Sequence, residues 1–218
     1  MAPTIIIFAD GTQGEITTRL GPGATPVIYS LLHDTVAAAR LLRGVQVVVR
    51  YSAAVAPAIA ADLDRSIDAA PLAASGRLGV ATALAEALAS GDPAVLIGPN
   101  LPHLPPWRLR DALTHLAYGA DVVLGPDDQA GWYLLGLRTA DPELLQAAPG
   151  LGEPPSRLTR AAEASQRQIA LLPPWFAVRT LADLDSTAEL LRSMPPAVGA
   201  RTRALFAEGV GQARAVGG

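Results

Sequence analysis

The stretch TIIIFA, residues 4–9, is apolar at nearly every position and rich in β-branched side chains. A strand with one wet face alternates in polarity. A strand without alternation is buried on both faces, inside a sheet covered by helices. Further strands are expected at VQVVVR (45–50), AVLIG (94–98), DVVL (121–124) and WYLLGL (132–137), with a sixth at 168–172. Between these runs the apolar spacing becomes helical. Leu32, Val36 and Ala39 share a face within 26–43, and an Ala-rich stretch near 55–64 also reads as helix. Leu78, Ala81, Ala85 and Leu88 point inward over 78–90, as do Leu109, Ala112, Leu113 and Leu116 over 107–118. Thr180 with Asp183 fits a capping box, after which Leu184, Ala188 and Leu191 share a face. Strands alternating with helices predict an α/β, Rossmann-like three-layer fold with a mainly parallel central sheet. Residues 1–218 read as a single domain, with 195–218 a helical tail beyond Pro195-Pro196. Leu205, Phe206 and Val210 in that tail pack either on the domain or on a second chain, which leaves a homodimer open.

Composition narrows the chemistry. The 218 residues hold no cysteine, which excludes disulfides, thiolate zinc sites and a Cys nucleophile. All 17 basic residues are Arg, so lysine chemistry is excluded too. The net charge of −3 is spread without runs, which argues against nucleic acid or a membrane as partner. MAPTIIIFADG lacks the basic start of a signal peptide, and no apolar stretch is long enough to span a bilayer. The expected location is the cytoplasm.

In open α/β sheets ligands bind at the carboxyl ends of the strands. Three such ends carry chemistry: Asp10, the run Gly98-Pro99-Asn100, and the run Gly125-Pro126-Asp127-Asp128. If their strands are neighbours, the three loops converge. The loop after Asp10 offers Gly11 and Gly14, the hydroxyls of Thr12, Thr17 and Thr18, and the cation Arg19, a set suited to cradling a pyrophosphate. The bland alternative is an ordinary surface loop. Asp10, Asp127 and Asp128 are the carboxylates placed to hold Mg²⁺ or Mn²⁺, although an Asp pair after Gly-Pro is also common turn chemistry. His103, in LPHLPP, is the histidine placed to face a pocket or else to fill a loop.

Taken in order, the motifs resemble a bacterial family of glycosyltransferase-like proteins, formerly a domain of unknown function. That family is related to the phospholactate guanylyltransferases within the nucleotide-diphospho-sugar transferase superfamily. Where its members begin F-A-K-x-P-x-x-G-x-x-K-T-R-L, this chain has FADGTQGEITTRL at 8–20. Its G-D-L-G is GRLG at 76–79, and its I-G-x-D-x-P-x-L is IGPNLPHL at 97–104. Its G-P-x-x-D-G-G-Y-Y-L-L-G-L is GPDDQAGWYLLGL at 125–137, and its D-V-D-T-x-x-D-L is AVRTLADL at 177–184. The resemblance implies a GT-A-like fold, a nucleotide or nucleotide-sugar ligand and transferase activity.

The departures fall on charge. The family's lysines are Asp10 and Thr17, and its acids are Arg77, Asn100, Gln129, Ala177 and Arg179. Arg19, Gly98, Pro102, Gly125, Pro126, Gly131, Tyr133 and Asp183 persist. Two repairs are open. Arg19, Arg77 and Arg179 hold phosphates without metal, or Asp10, Asp127 and Asp128 rebuild a carboxylate site. Either would serve a transferase, of the glycosyl type before the nucleotidyl type. The competing reading is a non-catalytic relative that binds a ligand or a partner subunit.

Overall fold

The computed structural model describes residues 2–11, 16, 19–55, 60–61, 65, 67 and 69–207. Gly14 and Thr18 of the expected phosphate loop lie outside them, as do Thr12, Thr17, Val210 and most of the 55–64 stretch.

The strands are β1 (Thr4–Ala9), β2 (Gln46–Ser52), β3 (Ala69–Leu72), β4 (Ala94–Ile97), β5 (Val122–Pro126), β6 (Trp132–Leu137) and β7 (Ile169–Leu171). They form one sheet in the order β3-β2-β1-β4-β6-β5-β7. β6 runs antiparallel to β4 and β5, and the other pairings are parallel. The helices are α1 (Ala24–Arg40), α2 (Gly76–Leu88), α3 (Pro106–Ala117), α4 (Pro142–Ala147), α5 (Ser156–Ala164), α6 (Leu181–Ser193) and α7 (Ala200–Ala207).

The lack of alternation in TIIIFA has the expected cause. Ile5 and Ile7 pack with Leu32 and Val36 of α1 and Leu109 and Leu116 of α3. Ile6 and Phe8 face the opposite layer, with Val80 and Leu84 of α2 and Leu144 and Leu158 of α4 and α5. Ile5, Ile6, Ile7 and Phe8 are all 0% exposed, so both faces are dry. The result is a helix–sheet–helix sandwich around a mainly parallel sheet.

Two details correct the pattern read from spacing. The inward face of α2 is Gly79, Val80, Ala83, Leu84 and Leu88, whereas Leu78 is 67% exposed and Ala81 and Ala85 are half-buried. The reason is Gly79, where a Cβ would lie 2.5 Å from the Phe8 ring, so the helix turns its glycine toward the sheet to approach closely. β3, of sequence AAPL, had no strand signal because it contains Pro71. Proline is tolerated here because β3 is an edge strand.

The described part of the tail packs on its own chain. Asp34, buried in α1, accepts bonds from the Arg201 and Thr202 backbone N–H groups at 3.2 and 2.7 Å and from the Thr202 hydroxyl at 2.7 Å. Arg203 donates to the Val198 and Met194 carbonyls, both at 2.9 Å, and to that of Leu191, closing the end of α6. No helix among the described residues is long and apolar enough to cross a membrane.

Asp34→Ala strips three donors of one buried acceptor. The expected loss is about 2 kcal/mol of unfolding free energy, read from urea midpoints at unchanged slope.

Candidate functional site

A cleft of about 650 Å³, counting its open mouth, lies beyond the carboxyl ends of β1 and β4. Asp10 enters from β1, and the turn Gly98–Leu101 enters from β4. Trp132 and Tyr133, at the start of β6, form a second wall, and Leu151 and Gly152 close one side. Ala177, Val178 and Arg179 complete the lining. β5 is not adjacent to β4, as convergence of three strand ends required, because β6 is inserted between them. Asp127 therefore reaches the cleft only through Arg179.

Residues 172–179 form a strap across the cleft. At one end the Leu172 N–H donates to Leu124 O at 2.9 Å, and the Trp175 N–H to Pro126 O at 3.2 Å. Arg108, buried, donates to Pro173 O at 2.6 Å and to the Tyr133 hydroxyl at 3.3 Å. Its guanidinium lies 4.5 Å from the Trp175 ring centre and 4.8 Å from that of Trp107. A flat, weakly hydrated cation between aromatic faces holds such a segment without a carboxylate partner. At the other end Asn100 grips Val178 twice. Its side-chain Nδ2 donates to Val178 O at 2.8 Å, and its backbone carbonyl accepts from the Val178 N–H at 3.0 Å. The strap then enters α6 through the capping box, in which Asp183 accepts from the Arg179 and Thr180 N–H groups at 2.8 Å each.

The expected site residues divide along this geometry. Asp10, Asn100, Tyr133 and Arg179 line the cleft. Asp127 has a fully buried carboxyl that ion-pairs with Arg179, while its other oxygen accepts the Gln129 and Gly131 N–H groups at 2.8 and 2.7 Å. Arg179 also donates to Trp132 O at 3.4 Å. Arg77 stands outside the lining, paired with Glu153 on the surface. Burial opposes ionisation of Glu153, yet the bonds from Arg77 and the Gly150 N–H hold its pKa below the ordinary value. Asp128 and Gln129 are exposed on the β5–β6 turn, and neither lines the cleft. Gly11 has φ +68°, and a Cβ there would overlap the Ala54 carbonyl, so it serves the exit turn from β1. Arg19 is exposed in the short helical stretch before α1.

His103 does not face the cleft. It is 0% exposed, its ring centre lying 4.2 Å from that of Phe176 and 5.6 Å from that of Trp175. Neither ring nitrogen has a well-formed hydrogen bond. Burial pushes its pKa down to about 4, against the opposing pull of the Phe176 backbone and the Asp183 charge. The imidazole works as a flat neutral spacer under the strap. Among the described residues no group of three or more His, Cys, Asp or Glu side chains is placed to hold a metal ion. The spacing of the sequence had no signal for Leu151, Gly152 or Val178, which the chain brings to the cleft through tertiary packing.

Two expectations follow for stability. Asn100→Asp places a second acceptor against Val178 O and costs about 2 kcal/mol, more than Asn100→Ala, as measured by urea unfolding. His103 titrates near 4 when folded against 6.5 when unfolded, so the unfolded chain holds the extra proton in between. Its contribution is complete above about pH 6.5 and is lost as the pH falls toward 4. Between about pH 7 and pH 5 the loss amounts to about 2 kcal/mol, and His103→Leu flattens that part of the stability profile.

The fold recurs among solved structures. A candidate nucleotide-diphospho-sugar transferase from Desulfovibrio desulfuricans G20 superposes with a TM-score of 0.76 at 21% identity, covering 95% of this chain and 96% of that one. Rv0371c from Mycobacterium tuberculosis H37Rv, in complex with manganese, gives 0.57 at 18%, covering 89% and 100%. A CMP:2-keto-3-deoxy-manno-octonic acid synthetase complexed with CTP gives 0.55 at 12%, covering 88% and 99%. These identities show a shared nucleotide-sugar transferase-like fold. No curated protein sequence matches the chain. Residues 35–149, more than half of the sequence, match one family model. The chain therefore belongs to the bacterial family described as "Uncharacterized protein conserved in bacteria (DUF2064)".

Proposed function

We propose that the chain binds a nucleotide-activated sugar in the cleft beyond β1 and β4, with Arg179 meeting phosphate in place of a divalent cation. The observation that carries this reading is the mounting of Arg179. One nitrogen, Nη2, is taken by Asp127 and Trp132 O, while Nε and Nη1 have no hydrogen-bond partner among the described residues. A guanidinium held from behind in this way is a preorganised fork for an anion. A relative of this fold that is complexed with CTP supplies the nucleotide ligand class.

A divalent ion of the Mg²⁺ or Mn²⁺ kind fits this cleft poorly. Such ions take oxygen ligands, one or two of them carboxylates. Here Asn100 turns its amide to Val178, Asp127 is occupied by Arg179 and two N–H groups, and among the described residues of the lining Asp10 has no second carboxylate beside it. The same observation supports a second reading, a non-catalytic relative that keeps the pocket and has lost the reaction.

Calorimetry with UDP, GDP, CDP and their sugars, each with EDTA or with Mn²⁺, tests the binding claim. The expected result is binding indifferent to metal and weakened about tenfold or more in Arg179→Ala. Absence of binding for every ligand at millimolar concentration refutes it. A donor-hydrolysis assay then separates the two readings, because turnover rules out the non-catalytic one.

A further inference from the structure

The first residue after β1 is a carboxylate with half of its chemistry unused. Asp10 is 6% exposed and lines the cleft. Its Oδ2 accepts the Gly76 N–H at 2.7 Å, at the first residue of α2, where Ser75 makes no side-chain cap. The helix start is thus capped from across the sheet, which fixes the carboxyl plane. The other oxygen, Oδ1, is buried and has no hydrogen-bond partner among the described residues. Native interiors satisfy such oxygens almost without exception.

We infer that Asp10 is the specificity-determining residue of the cleft, accepting a hydrogen bond from a hydroxyl of the glycosyl group of the ligand; this rests on the nucleotide-sugar reading above. A carboxylate repels phosphate, so the anionic part of a ligand belongs beside Arg179, and a hydrogen-bond donor belongs beside Asp10. A ligand with an anion at one end and hydroxyls at the other meets both demands, as a sugar joined to phosphate does. Leu151, half-buried in the same lining, offers an apolar surface to the C–H face of a sugar ring. A recognition site built on a buried acceptor also rejects ligands lacking the donor, since the oxygen is then left unpaired.

The test uses the full chain and isothermal titration with a nucleoside diphosphate and its glycosyl ester, for instance UDP against UDP-glucose and GDP against GDP-mannose. At least one sugar form is expected to bind about tenfold or more tightly than its bare diphosphate. Asp10→Asn can keep its oxygen on the Gly76 N–H while presenting an NH₂ where Oδ1 stood. It should erase that advantage, so that within the variant the sugar form and its bare diphosphate bind with the same Kd. Deoxy-sugar analogues on the unaltered chain give an independent arm, because removal of one particular hydroxyl should produce the same loss. A bare diphosphate that binds as well as every sugar form, or an advantage that survives both Asp10→Asn and the deoxy series, overturns the assignment while leaving the nucleotide reading intact. Failure of every ligand to bind overturns both.

Discussion

A carboxamide differs from a carboxylate by a single donor, and the cleft depends on that difference at Asn100. Its Nδ2 and its backbone carbonyl both bind Val178, across 78 positions of sequence. The two bonds turn an irregular segment into a wall. With Val178 in place, Ala177 and Arg179 follow it into the lining and Asp183 closes the first turn of α6. Asn100 thus acts as a strut for the strap. Its side-chain Oδ1 lies over Gly98, where a Cβ would come within 2.9 Å, so the preceding glycine is part of the same fitting.

The rest of the strap is held by a buried cluster that mixes charge with aromatic surface. Arg108 lies among Trp107, Tyr133 and Trp175 and reaches Pro173, while His103 fills the space beneath Trp175 and Phe176. Tyr133 belongs to this cluster as much as to the cleft. Burial pushes its phenol above the ordinary value despite the opposing effect of Arg108, so it stays a neutral hydroxyl that bonds Pro173 O at 3.3 Å. Several residues that resemble catalytic equipment in one dimension therefore hold one segment of backbone in three.

How far the chain can be read in advance depends on the range of the interaction. The apolar runs of β1, β4 and β6 announce themselves because burial on both faces removes alternation, and Thr180 with Asp183 is a local signal that the fold honours. The direction of β6 is not legible, because WYLLGL reads the same for a parallel or an antiparallel neighbour. Nor is the buried face of α2, set by one glycine meeting Phe8 from another element. The short helices α4 and α5 fall in a stretch whose composition suggests only loop, although Asp141 caps the first through the Glu143 and Leu144 N–H groups. At the site the retained glycines were visible as backbone-shaping positions. The roles of Asn100, His103 and Asp127 were not, since each is defined by partners distant in sequence or by burial.

The bond between Asp34 and Thr202 spans 168 residues. A ribosome releases the acceptor 168 residues before its donors, so during synthesis the Asp34 carboxyl waits, uncovered, for a helix that does not yet exist. Native packing around α1 is therefore completed late, and the groove that receives α7 stays open to solvent and chaperones in the meantime. Once it closes, α1 and α7 are fastened to each other, and the α6–α7 unit that follows the strap cannot peel away without breaking the three hydrogen bonds to Asp34.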